Sequence, residues 1–179
     1  MLKVEDAVLI VVDVQGKLAT LMHENEDLFD NLARITQGAW ILGLPILWNE
    51  QLPDKLGETI PEIKNALEGA APMVKKTFSC CGNTGFVADL ERLERRQVLL
   101  VGIESHVCVY QTARDLLRAG YEVFLVTDAV SSRTPENKQA GIEAVRAAGA
   151  RLTSVEMALF EMLQTAEGDR FRKISKLVK

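Results

Sequence analysis

The sequence predicts one α/β domain built on a parallel, doubly wound sheet. Three observations predict it. Short apolar, β-branched runs recur along the chain, and stretches of helical period separate them. Two of the runs, Val8-Leu-Ile-Val-Val and Val98-Leu-Leu-Val-Gly, are continuously apolar, the pattern of strands buried on both faces. Strands that alternate with helices need crossover connections, which make neighbouring strands parallel.

Taken in order, the first strand is expected over Ala7–Val14. A helix over Leu28–Leu42 follows and stops at Gly43-Leu-Pro45, a C-cap glycine with a proline that cannot continue the helix. Pro45–Trp48 and Pro72–Val74 are the next strands. Thr84–Glu94 sets Phe86, Leu90 and Leu93 at helical spacing. Gln97–Val101 is a strand, and Val107–Ala119 is a helix with Val109, Ala113, Leu116 and Leu117 on one face, ending at Gly120. Glu122–Val126 is a strand. Thr134-Pro135 reads as an N-cap with proline at the first helical position, and that helix stops at Gly149. Arg151–Ser154 closes the strand list. The tail Arg170–Lys179 carries five basic residues in ten, a pattern that fits a solvated helix face.

Size and composition agree with a single domain over residues 1–179. Hydrophobic residues make up 47% and charged residues 26%, which excludes a disordered chain. With 21 Lys+Arg against 25 Asp+Glu, no basic face is expected and nucleic acid is not the expected partner. The run Ala7 to Val12 is far shorter than the roughly 20 residues of a membrane span, so no membrane partner is expected. The start, Met-Leu-Lys-Val-Glu-Asp, has no basic n-region or small-residue cleavage site. Three cysteines without paired CxxC spacing point to reduced thiols, and a cytoplasmic location is the expectation.

In open α/β sheets, sites form beyond the carboxyl ends of the strands. That rule selects Asp13-Val-Gln15, Lys75-Lys76-Thr-Phe-Ser79, Gly102-Ile-Glu-Ser-His-Val-Cys108 and Thr127-Asp128. A carboxylate, an ammonium and a thiol on one edge are the parts of nucleophilic catalysis. Cys108 falls at the start of a helix, where a thiolate would be favoured and backbone N–H groups could hold an oxyanion. It reads equally as a small buried residue. Asp13 breaks an apolar strand, which implies a partner, a capping role or chemistry. Lys76 is the cation expected near it. His106 stands two residues from Cys108, too close along a helix to face it, and reads as structural or as a pocket wall. Cys80-Cys81 fit neither a disulfide nor a zinc site. With two histidines and no HxH or HxxxH pair, no metal is expected. No Walker A loop or GxGxxG is present, so no cofactor is expected.

The chain resembles the isochorismatase-like cysteine hydrolases over roughly residues 5 to 165. The resemblance rests on Val11-Val-Asp13-Val-Gln15, on Lys76-Thr-Phe-Ser79, and on Gly102-Ile-Glu-Ser-His-Val-Cys108-Val-Tyr-Gln-Thr112-Ala, with Gly120-Tyr-Glu-Val and Asp128-Ala downstream. It implies a three-layer α/β/α fold with a mostly parallel central sheet. It nominates Asp13, Lys76 and Cys108 as the catalytic set and a cis peptide at Ile103–Glu104 that helps form the oxyanion site. Gln15, Asn49, Gln51, Phe78 and His106 are then candidate pocket walls. The resemblance further implies a homo-oligomer and a small-molecule substrate. The Asp-x-His and further His of metal-dependent nicotinamidases are not matched. The presence of Cys108 favours amide or related acyl substrates over a vinyl ether. The implied activity is hydrolysis of a small carboxamide through a thioester; the rival readings are a redox-sensing thiol and a non-catalytic binding protein on the same fold.

Overall fold

A computed structural model describes residues 1–67 and 69–179. Six strands, β1 (Ala7–Val12), β2 (Ile46–Gln51), β3 (Pro72–Lys75), β4 (Gln97–Ile103), β5 (Glu122–Ser131) and β6 (Arg151–Thr153), form one sheet of order β3-β2-β1-β4-β5-β6. Every neighbouring pair is parallel. All six residues of β1 and all seven of β4 are buried, as their unbroken apolar runs predict.

The period-2 alternation of the central strand divides the core into two layers. Ala7, Leu9 and Val11 face a cluster with Leu28, Leu32, Ile35 and Leu42 of α2 (Asn25–Leu42) and with Val155, Leu159 and Met162 of a C-terminal helix. Val8, Ile10 and Val12 face Phe86 and Leu90, Ala113 and Leu116, and Ile142 and Val145 on the other side. The helices supplying these are α5 (Thr84–Arg92), α6 (Tyr110–Arg118), α7 (Pro135–Ala147) and α8 (Val155–Leu163); α9 (Gly168–Leu177) follows and buries Ile174. The result is the three-layer arrangement that the sequence implies.

Local chemistry explains the ends of these helices. Gly43, at φ 79°, terminates α2, and the Leu44 N–H donates to the Ala39 carbonyl at 2.9 Å. The Asn83 side chain accepts from Gly85 N at 2.9 Å to start α5, and the Thr134 hydroxyl accepts from Asn137 N at 3.2 Å to start α7. Three short helices were not expected from sequence: α1 (Gly16–Thr20), α3 (Pro53–Leu56) and α4 (Pro61–Ala66). The strand β5 also runs past Val126 to Ser131. Its register against β4 jumps from Leu100–Leu125 to Gly102–Val130, so Val126–Ala129 bulge out. That bulge lets the Asp128 carboxylate accept from Val155 N at 2.9 Å, at the start of α8. Among the described residues no helix is long and apolar enough to cross a membrane.

The turn that leaves β4 is held down by close backbone approach. A five-residue π turn (Ser105–Val109) leads into α6, and Gly141 of α7 packs directly on it. A Cβ at Gly141 would lie 2.4 Å from the Ser105 carbonyl carbon and 2.5 Å from His106 N, both backbone atoms. Gly141→Ala therefore forces the turn and the helix apart. Overpacking of this kind costs about 1–3 kcal/mol. For a chain of this size that lowers Tm by about 2–4 °C per kcal/mol, which a thermal melt reads directly.

Candidate functional site

The strand order reverses between β1 and β4, and the crevice beyond their carboxyl ends is where an α/β sheet of this order holds its ligand. Asp13 follows β1 with φ 50°, a left-handed conformation that Asp tolerates better than most residues. Its N–H donates to the Asn49 carbonyl at 3.2 Å, which extends the β1–β2 pairing by one bond and fixes where the carboxylate points. Cys108 comes from the π turn after β4. The Ile103–Glu104 peptide between strand and turn is cis.

The cation that meets Asp13 is Lys75, the last residue of β3. Its Nζ lies 2.6 Å from Asp13 Oδ2, and both side chains are essentially sealed from solvent. The same ammonium donates to Gln51 Oε1 at 2.9 Å and to the Thr77 and Phe78 carbonyls at 3.0 Å each. Lys76, the residue nominated from sequence, is exposed. Strand alternation gives the reason: Lys75 shares a face of β3 with Met73, which packs in the layer containing Cys108, whereas Val74 and Lys76 lie on the exposed face.

The pair leaves one carboxylate oxygen free. Asp13 Oδ1 is buried and accepts no hydrogen bond from the protein. Beside it, the Cys108 thiol donates to Gln51 Oε1 at 3.5 Å. Burial raises the pKa of Asp13, opposed by the Lys75 ammonium. Burial also raises that of Cys108, helped by the negative charge of Asp13 and again opposed by Lys75. The expected resting thiolate at a helix start is therefore not what this site favours: burial and the neighbouring carboxylate keep the proton on sulfur. Cys80 and Cys81 are pushed up as well, to about 12 and about 11, chiefly by burial.

A cleft of about 210 Å³ opens over Cys108, lined by Asp13, Leu18, Gln51, Leu56, Phe78, Ile103, Glu104 and Val107. Of the candidate pocket walls, Gln51 and Phe78 are among these lining residues, as are Ile103 and Glu104 of the cis peptide. Three other candidates do not line it. Gln15 is fully buried and braces the floor instead: Oε1 accepts from Gln51 N at 2.6 Å, while Nε2 donates to Gly57 O at 2.6 Å and to Gln51 O at 3.1 Å. Asn49 is buried within β2, with Nδ2 3.4 Å from the Val11 carbonyl. His106 turns away, its Nδ1 2.9 Å from Ser132 Oγ, and serves as a structural tie between the π turn and the end of β5. Leu18 and Leu56 were missed because they sit on α1 and α3, elements too short to show a period. Glu104 has a partner that sequence did not disclose, since its Oε1 accepts from Arg133 Nε at 3.0 Å. Among the described residues, no group of three His, Cys, Asp or Glu side chains is placed to hold a metal ion.

Comparison with known proteins follows the same architecture. The family model described as Isochorismatase domain matches residues 7–157. The secreted isochorismatase effector Isc1 of Phytophthora sojae is 38% identical over 179 residues, covering 97% of this chain and 84% of that protein. The solved structure of MAR1 ribonuclease from Caenorhabditis elegans superposes with a TM-score of 0.92 at 33% identity, over 99% of this chain and 91% of the other. YcaC from Pseudomonas aeruginosa, solved with hexane-2,5-diol and covalent acrylamide, has a TM-score of 0.92 at 25% identity, over 98% and 90%.

The two adjacent lysines give a sharp contrast. Lys75→Met leaves the Asp13 carboxylate buried without its cation, and breaking a buried pair from one side costs about 3–5 kcal/mol. Lys76→Met alters an exposed side chain and is expected within about 0.5 kcal/mol of the parent protein. Denaturant unfolding of both variants checks the assignment; equal effects would show that neither lysine holds Asp13.

Proposed function

Because the chain belongs to the isochorismatase family, we propose that it is a cysteine-dependent hydrolase of a small carboxamide or related acyl compound. The observation that carries this reading is the divided Asp13 carboxylate. Oδ2 is spent on Lys75 and Oδ1 is buried without a partner, while Asp13 and the Cys108 thiol line one cleft close enough to shift each other's ionisation. A buried acceptor without a donor is costly, and a proton from the thiol would satisfy it.

The chemistry follows from that arrangement. Asp13 takes the proton from Cys108 as sulfur attacks the acyl carbon, so charge on sulfur develops only as it is consumed. Lys75 supports the negative charge shared by carboxylate and sulfur throughout. The tetrahedral oxyanion is held by backbone N–H groups at the turn, those of Cys108 and Glu104. Collapse expels the amine, which leaves with the proton from Asp13, and a thioester remains. Asp13 then takes a proton from water as the hydroxide adds to the thioester, and the departing sulfur recovers that proton. The products are a carboxylic acid and an amine or ammonia, with the thiol restored. The covalent acrylamide held by the P. aeruginosa relative supports a reactive nucleophile in this architecture.

Ammonia release from a panel of short amides tests the reading, together with intact-protein mass during turnover. The wild-type chain should release ammonia and show a mass increase of one acyl group, and Cys108→Ala should show neither. Asp13→Asn should lose about 10²–10⁴-fold in rate, the contribution of a positioned general base. Asp13 must be ionised to act, and burial raises its pKa, so activity should fall on acidification at a pH above the ordinary carboxylate value of about 4. An active Cys108→Ala variant would refute the nucleophile. Oxidation of Cys108 by peroxide without any amide turnover would favour the redox-sensing thiol.

A further inference from the structure

Resting on the cysteine-hydrolase reading, we propose that the cleft selects a small, uncharged acyl compound with an apolar acyl group, and rejects substrates bearing a carboxylate or a phosphodiester. Size is the first argument. The cleft, at about 210 Å³, lies below the usual range for a ligand pocket, so it suits a small compound.

Wall chemistry is the second. Leu18, Leu56, Phe78, Ile103 and Val107 present apolar surface, and Phe78 is 52% exposed at the mouth, so an apolar acyl group gains by covering it. These walls are preformed. The segment carrying Leu56 is held by the Gln15–Gly57 bond and by Gly16 N donating to Glu58 O at 3.0 Å. A few residues on, Thr59 N and Oγ1 both donate to the buried Glu50 carboxylate at 2.7 Å.

Charge is the third argument and decides the class. The two acidic groups lining the cleft, Asp13 and Glu104, carry the same sign. The cation beneath them is saturated: Lys75 Nζ has three protons and four oxygens within 3.0 Å. Arg133 is committed to Glu104 and lies outside the lining. A substrate carboxylate would lose its water and find no free ammonium or guanidinium, because each cation near the cleft is already paired with its own carboxylate. A phosphodiester carries the same penalty. An amide loses little by comparison, and the Gln51 side chain offers it a polar edge.

Matched alkylating agents read this without knowing the natural substrate. Iodoacetamide and iodoacetate differ in one group, neutral in the first and anionic in the second. The rate ratio at Cys108, measured by peptide mass spectrometry and divided by the same ratio for glutathione, isolates the cleft. The expected corrected ratio is about tenfold or more in favour of the amide, well within the cost of desolvating an unpaired carboxylate. Phe78→Arg, at an exposed position that the fold tolerates, should pull the ratio back towards one by supplying the missing cation. A corrected ratio near one in the wild-type chain, with Cys108 readily alkylated, overturns charge selection and leaves the nucleophile standing. Failure of Cys108 to react with either agent while the protein is folded overturns the cysteine-hydrolase reading itself, and the selectivity with it.

Discussion

The site depends on one buried ammonium. Lys75 and Asp13 meet at 2.6 Å with almost no access to water, and such a pair repays its desolvation only when every remaining lone pair and proton is also satisfied. Here the ammonium gathers Gln51 and the two carbonyls that follow it in the chain, Thr77 and Phe78. Gathering those carbonyls curls the loop after β3 back over the lysine. That curl brings Phe78 to the mouth of the cleft. The loop then runs to Cys80, whose N–H donates to Thr112 of α6 at 3.0 Å and ties it to the helix that Cys108 leads into. One electrostatic requirement thus sets the Asp13 carboxylate, the Phe78 wall and the loop that ties to the helix after Cys108.

The sheet supplies what the ion pair cannot. Asp13, Lys75 and Cys108 come from segments far apart in sequence, and only the order β3-β2-β1-β4 brings their carboxyl ends side by side. Gly102, at φ 112°, allows the last part of β4 to press on β1: a Cβ there would sit 2.1 Å from the Val12 carbonyl oxygen. Gly141 closes the turn from the other side. The packing that makes the core also fixes where the Cys108 thiol stands relative to the Asp13 carboxylate.

Much of this was legible in the sequence, for reasons that also explain the gaps. Long apolar runs in β1 and β4, the spacing of α5 and the capped ends of α2 and α7 announce themselves, because burial on both faces and helix ends demand particular residue types. The short helices α1, α3 and α4 do not, since four to six residues cannot display a period, and with them the walls Leu18 and Leu56 stayed hidden. The choice between Lys75 and Lys76 turned on one residue of strand phase. Pro72-Met-Val-Lys-Lys is apolar at both Met73 and Val74, so neither face declares itself, and a motif spacing that pointed to Lys76 was the wrong guide. Gln15 and Asn49 were drawn to the pocket by their polarity, whereas both are buried braces for backbone groups. The sign of the effect on Cys108 was equally out of reach, because burial and the approach of Asp13 are tertiary facts.

Burial and the charge of Asp13 favour the protonated thiol of Cys108, and in the proposed reaction that proton passes to the Asp13 carboxylate only as sulfur bonds to substrate. The most direct measurement is the ultraviolet absorbance of thiolate across neutral and alkaline pH, taken as the difference between wild type and Cys108→Ser. The account predicts no Cys108-dependent thiolate signal at neutral pH, and a signal at lower pH in Asp13→Asn than in wild type, because the substitution removes a charge that opposes ionisation. A Cys108 thiolate already formed at neutral pH in the wild-type chain, unaffected by Asp13→Asn, would contradict it.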